Sequence, residues 1–157
     1  MEVRSFQPED ADALGDVFHR AVRDGAAIRY RPDQVAAWSP QRPSGARWSD
    51  RLAGADTVVA LDGDDRVGFM TVDADGYLDL AFVLPEKMGT GTADLLYAVL
   101  ETRARARGTA RLTTQASLLA EPFFARHGWA LVRRQEVEIN GVVLANAWME
   151  KPLCGAA

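Results

Sequence analysis

Gly89 and Gly91 bracket a threonine in the run Leu84-Pro85-Glu86-Lys87-Met88-Gly89-Thr90-Gly91-Thr92. They separate an apolar stretch from a strongly helix-periodic one. A glycine has no Cβ, so backbone N–H groups beside it can approach a ligand closely. The start of a helix adds orphan donors and the positive end of a dipole. Such a turn can seat a phosphate or pyrophosphate. The same two glycines can also do no more than ease a tight strand-to-helix turn. A dinucleotide fingerprint would need a third glycine where Asp94 stands, and no Gly-Lys-Ser/Thr run of a P-loop exists.

A second candidate lies just upstream. Alternation along Tyr77 to Leu84 places Tyr77, Asp79, Ala81 and Val83 on one face, with Leu78, Leu80, Phe82 and Leu84 on the other. The apolar face is expected to pack on helices, and the Tyr77/Asp79 face to open toward a substrate. An Asp inside a strand is unfavourable unless solvated or paired. Asp79 is therefore either an ordinary ion-paired or exposed residue or a functional carboxylate.

The elements that must position these groups follow from periodicity. Val3 to Phe6 reads as a strand, and Gln7-Pro8-Glu9-Asp10 opens a helix that Asp24-Gly25 ends. Pro32 to Trp38 reads as a second short helix, and Ser39 to Trp48, rich in Pro, Ser, Gly and Arg, as a surface loop. Strands follow over Thr57 to Leu61, Val67 to Val72 and Tyr77 to Leu84, joined by tight turns and so expected to be antiparallel. A helix over Thr90 to Arg107 stops at Gly108. Then come a strand at Leu112 to Gln115, a helix at Glu121 to His127 and two strands, Trp129 to Ile139 and Val142 to Glu150. These last are joined by Asn140-Gly141, a strong hairpin signal. The order β-α-α-β-β-β-α-β-α-β-β predicts a mixed α/β fold, a mostly antiparallel sheet with helices on its faces.

Composition bounds the function. The 157 residues fit a single domain spanning 1–157; 48% are hydrophobic and 25% charged, an ordinary soluble balance. The longest apolar run, Leu95 to Leu100, cannot span a bilayer, and no apolar signal region follows Glu2 and Arg4, so a cytoplasmic location with no membrane partner is expected. The net charge of −4 argues against nucleic acid. Arg103, Arg105 and Arg107 read as a solvated helix face or as a contact to an extra cofactor phosphate. Cys154 is a lone cysteine close to the end and reads as a bystander, and His19 and His127 are far apart, so no metal site is expected. His19 reads as a rim residue.

The stretch Val83-x-Pro85-x-x-x-Gly89-x-Gly91-x-x-x-Leu95-Leu96 resembles the coenzyme A loop of the GNAT superfamily of N-acetyltransferases. Ala116-Ser117-x-x-Ala120-x-x-Phe123-Phe124-x-x-x-Gly128-Trp129 looks like the second half of that signature. The resemblance runs the whole length. Tyr30-x-x-x-Gln34-x-x-Ala37-Trp38-x-Pro40 and Gly141-Val142-x-Leu144-x-Asn146-x-x-Met149-x-Lys151-Pro152-Leu153 look like a bacterial subgroup of small, largely uncharacterised acetyltransferases.

The resemblance implies acetyl-CoA as co-substrate, no metal, and direct acetyl transfer to an amine of a small molecule or protein. It implies cofactor contacts from Phe82, Val83, Leu84, Lys87, Met88, Gly89, Thr90, Gly91, Thr92, Ser117 and Phe124. Family loops carry Arg or Gln ahead of the glycines; here Glu86, Lys87 and Met88 stand there, so Lys87 supplies the only positive charge and Glu86 must point away. A backbone N–H near Phe82 or Val83 is expected to face the thioester oxygen. Asp79 is expected as a base, directly or through water, or as a clamp on a substrate ammonium. Phe124 stands where the family often places a Tyr acid, and phenylalanine has no proton to give. That departure leaves a second reading open, a non-catalytic acyl-CoA-binding or sensor module. Ser117 matches a cofactor-bonding position, or else caps a strand end. Tyr30, Trp38 and Tyr77 are expected to wall the acceptor site, with Trp48 among the candidate aromatics, or else to be packing. The C-terminal hairpin leaves an edge at which a homodimer could form.

Overall fold

A computed structural model describes residues 1–153 of the chain; Cys154 lies outside the described residues. Seven strands form one sheet: β1 (Glu2–Ser5), β2 (Asp56–Asp62), β3 (Asp65–Val72), β4 (Tyr77–Val83), β5 (Arg111–Ser117), β6 (Ala130–Ile139) and β7 (Val142–Pro152). Their spatial order is β1-β2-β3-β4-β5-β7-β6. Neighbours are antiparallel except β4 and β5, which run parallel and pair only through Tyr77 with Thr113 and Leu78 with Thr114. Beyond that short ladder the two strands part, and the sheet opens in its middle.

Helices cover both faces: α1 (Ala11–Arg20), α2 (Pro32–Trp38), α3 (Gly45–Ala53), α4 (Thr92–Ala106) and α5 (Glu121–Arg126). Two adjacent residues of β3 show the layering. A side chain at Gly68 would run into Leu96 of α4. Phe69 turns the other way, against Trp48 of α3 and Phe82 of β4. Among the described residues, no helix is long and apolar enough to cross a membrane.

One expectation fails here. The segment read as a loop to Trp48 begins a helix at Gly45. Trp48 and Leu52, four residues apart, lie on its buried face. The Trp48 indole donates to Ala11 O (2.9 Å), so this aromatic belongs to the core and walls no acceptor pocket. Pro40, Pro43 and Gly45 hid the pair by marking the region as punctuation. The first helix also continues past Gly25. It widens to a π turn over Ala21–Gly25 and tightens to a 3-10 turn over Ala26–Ile28.

The Asn140-Gly141 hairpin forms as expected, with both residues at positive φ, the requirement of a type I′ turn. Arg103 and Arg107 both bind Asp56 (3.0 and 2.8 Å), and Arg105 donates to Leu153 O. Arg103 is about 18 Å along α4 from Gly91 at 1.5 Å per residue, so the basic run is a paired outer surface rather than part of the phosphate seat. α4 is anchored on its buried side. Tyr97 donates to Glu101 (2.8 Å) and accepts from the Trp129 indole (2.9 Å), and burial pushes the Tyr97 phenol well up.

Candidate active site

The opening between β4 and β5 holds two clefts, of about 470 and 450 Å³. They share a wall made of Trp38, Ala81, Phe82, Ser117, Ala120 and Phe124.

The first cleft is apolar and reaches the glycine loop through Val83, Met88, Gly89 and Ala93. Pro85–Lys87 forms one 3-10 turn, then Gly89 and Gly91 adopt φ of 75° and 87°. Nothing in the protein lies within 4 Å of where a Cβ would sit on either. The backbone thus needs glycine for its left-handed turn, and the space alongside stays open to a ligand. The first backbone bond of α4 runs from Leu95 N–H to Gly91 O (3.1 Å). The amides before it are those a helix N-terminus leaves without an intrahelical partner. The Asp94 carboxylate, close by, is matched by Arg126 (3.0 Å) and His127 Nε2 (2.7 Å). The hydrogen bond at His127 and the Arg126 charge hold its carboxyl below the usual range. Arg126 also lines this cleft.

Several expected cofactor residues stand elsewhere. Lys87 binds Asp62 (2.6 Å) and lines a separate groove with Leu84 and Glu86, so the one expected loop cation is held off the seat. Glu86 does point away, onto Arg20 (2.9 Å). Leu84 is buried in the core. The Thr92 hydroxyl is buried against Thr90, and Thr90 in turn donates to Lys87 O, so both hydroxyls serve the loop itself. Ser117 Oγ accepts the Ala120 N–H (3.1 Å), the capping role.

β4 departs from strict alternation. Leu80 pairs with Thr71 and Leu78 with Val72, so Asp79 stands opposite no residue of β3. A bulge of this kind re-aims side chains next to a site. Asp79 is exposed and meets Arg51 of α3 in a two-pronged pair (3.0 and 3.1 Å).

The ladder also fixes the amides. Leu84 N–H donates to Val67 O (2.9 Å). Antiparallel pairs alternate between exchanging and not exchanging hydrogen bonds. Two residues back, Phe82 and Phe69 therefore exchange bonds, while Val83–Gly68 and Ala81–Met70 do not. The Phe82 amide is thus turned to β3, and those of Ala81 and Val83 face the opening. The Phe82 ring packs between Phe18, Trp38 and Phe69, as a wall.

The second cleft is more polar. Tyr77 and Asp79 line it beside Arg51, Gln115, Ser117 and Asn146. Tyr77 stacks on Trp148 and accepts from Gln115 (3.3 Å); burial, then the Asp79 charge, push its phenol up. Tyr30 is buried, donates to Ala145 O (2.6 Å) and accepts the Leu118 N–H (2.9 Å). Trp38 leans on Tyr30 and Phe82 at the junction of the clefts. Phe124 is buried between Phe123 and Trp129. His19 bonds Ser39 Oγ (2.6 Å) and lines neither cleft. Sequence reasoning missed Arg51, Arg126 and Asn146. Asn146 Oδ1 is, among the described residues, the one buried side-chain N or O atom without a hydrogen-bond partner. The Trp48/Leu52 spacing was the signal that would have placed Arg51 on a helix.

A family model for the acetyltransferase (GNAT) domain matches residues 26–151. The chain belongs to the GNAT acetyltransferase family. It is 35% identical over 149 residues to the uncharacterized N-acetyltransferase YafP of Escherichia coli (strain K12), covering 95% of this chain and 94% of that one. The GCN5-related N-acetyltransferase from Rhodopseudomonas palustris superposes with a TM-score of 0.91 at 34% identity, covering 97% and 95% of the two chains. PaiA N-acetyltransferase from Thermoplasma acidophilum, solved in complex with coenzyme A, shares the fold with a TM-score of 0.78 at 15% identity, covering 96% and 98%. Family membership does not favour the non-catalytic reading that Phe124 left open.

Proposed function

We propose that this GNAT protein transfers the acetyl group of acetyl-CoA to a primary amine by direct attack, with both substrates bound at once. The observation that carries the reading is the pair of clefts meeting at one wall where β4 and β5 part. The apolar cleft with its open glycine loop suits the cofactor, and its phosphates would rest on the Gly89 and Gly91 amides and the start of α4, since the Met88 and Thr90 amides already donate to Pro85 O and Lys87 O. Arg126 supplies the positive charge at this cleft that Lys87 does not. The polar cleft suits the amine.

The roles follow from position. Asp79 accepts a proton from the incoming ammonium, directly or through water. The freed nitrogen attacks the thioester carbon as the C–S bond breaks. The Val83 amide, facing the opening, donates to the oxygen on which negative charge develops. The attacking nitrogen loses its second proton to water as the amide forms, and the thiolate leaves and takes a proton from water, since Phe124 has none to give. Tyr30, whose phenol burial raises further above its ordinary value, spends its proton on Ala145 O.

The test is calorimetric titration with acetyl-CoA, with ATP and NAD as controls, followed by thiol release on a panel of amines. Selective binding of acetyl-CoA and amine-dependent thiol release are expected. Binding without turnover on any amine would return the chain to the non-catalytic reading. No binding would leave fold without function.

A further inference from the structure

The second cleft carries its own charge pattern. Among its described lining residues, Arg51 and Asp79 are the only charged side chains, and they bind each other. The pair is 50% and 33% exposed. An ion pair this open to water contributes little, about 0–1 kcal/mol, so an incoming ligand can replace either partner. A ligand with one positive charge would engage Asp79 and return Arg51 to water. A zwitterion would satisfy both.

Resting on the function proposed above, we infer that the acceptor is an α-amino acid, with its carboxylate on Arg51 and its ammonium on Asp79. Three observations support this. The opposite charges of the pair sit about 3 Å apart, at 3.0 and 3.1 Å across its two hydrogen bonds. That separation suits an ammonium and a carboxylate carried on one carbon, laid head to tail over the pair. Arg presents a planar fork that takes a carboxylate through two bonds. Asn146 lines the same cleft with its Oδ1 shielded and unpartnered, and a turn of the amide about χ2 would present that acceptor to an N–H of the amine. Val137, Ile139, Leu144 and Trp38 complete the lining, so the amino acid side chain is apolar.

The arrangement also helps the proton transfer. When Asp79 takes the proton from the ammonium, Arg51 would lose its counter-charge. With the substrate carboxylate on its fork it keeps one. The nitrogen then attacks the thioester carbon, the C–S bond breaks, and the thiolate leaves. One ammonium proton ends in solvent by way of Asp79, and the second, lost from nitrogen as the amide forms, passes through water to the thiolate.

The experiment compares L-leucine, leucinamide and isopentylamine as acceptors with acetyl-CoA, reading thiol release in the wild type, Arg51→Gln and Arg51→Lys. Leucinamide has the more easily deprotonated amine, so chemistry alone favours it over leucine. Leucine is expected to be preferred by KM, and Arg51→Gln to raise the leucine KM several-fold and collapse the preference. Arg51→Lys is expected to restore part of it. Melting temperature and acetyl-CoA affinity monitor folding of each variant. Leucinamide or isopentylamine turned over as well as leucine would overturn the inference and leave acetyl transfer standing. If no amine is turned over, calorimetry of the CoA-loaded protein decides. Leucine binding that Arg51→Gln abolishes keeps this assignment and sinks the transferase reading; no leucine binding sinks both.

Discussion

The two clefts are built from different material. The cleft we assign to the cofactor rests on backbone: two glycines at positive φ, the first amides of α4, and the Ala81 and Val83 amides that β5 leaves uncovered. The acceptor cleft rests on side chains, with Arg51 from α3, Asp79 from a bulge in β4, Gln115 from β5 and Asn146 from β7. A backbone seat survives most substitutions and binds a constant ligand. A side-chain cleft changes its ligand when one residue changes. The contrast predicts where mutations will act.

The largest break should come at the acceptor cleft. Asp79→Asn keeps the shape and removes the proton acceptor. It is expected to lower kcat/KM about 10²- to 10⁴-fold while leaving acetyl-CoA affinity unchanged by calorimetry. Gly91→Val tests the other cleft. A β-branched residue at φ 87° costs about 1–3 kcal/mol. It should weaken acetyl-CoA binding about 10- to 100-fold, or lower the melting temperature if the strain falls on the loop itself.

A third variant separates function from stability. Asn146→Ala removes a buried oxygen that has no partner. Such a group costs stability when left unmade. The melting temperature should therefore hold or rise while the amine KM rises several-fold; a fall in stability with unchanged KM would make Asn146 structural.

The smallest effect on activity should come from a carboxylate that serves neither cleft. Asp10 is fully buried between Arg4 and Arg66. Burial alone would raise its pKa, but hydrogen bonds from Arg4, the Gln7 amide and Arg66 outweigh that and hold it at about 2, against an ordinary 3.8. A depressed folded value stabilises above the unfolded pKa and is lost on acidification. Asp10 therefore contributes about 2 kcal/mol at neutral pH, and loses it as pH falls from about 4 to 2. Acid unfolding of Asp10→Asn should lack that component, and its kinetics at pH 7 should match the wild type.

The same contrast explains what the sequence made legible. The cofactor loop is one contiguous stretch, so its spacing carried both fold and family. The Asn140-Gly141 hairpin was legible for the same reason. The acceptor cleft draws on positions from Arg51 to Asn146, and no local pattern links them. Alternation put Asp79 on the Tyr77 face, and both line the second cleft, but the bulge at Asp79 is a property of two strands, visible only once β3 is paired. Lys87 looked free because its partner, Asp62, is on another strand. The Phe82 amide could be assigned to β3 only from the phase of the ladder. Arg51 was lost with its helix, where three breakers outweighed one tryptophan–leucine pair.

Tyr30 gives the clefts a further property. Its one hydroxyl holds the end of β5, through Leu118, and β7, through Ala145, from a segment that belongs to neither. It works as a clamp: β5 and β7, already paired down to Ser117 and Asn146, are pinned just beyond their last pair by a third piece of chain. One wall of that cleft is thus held from outside the sheet, by the link between α1 and α2. Removing that one hydroxyl would loosen the frame of the cleft from a position that no strand contains, while leaving the cleft's charges where they are.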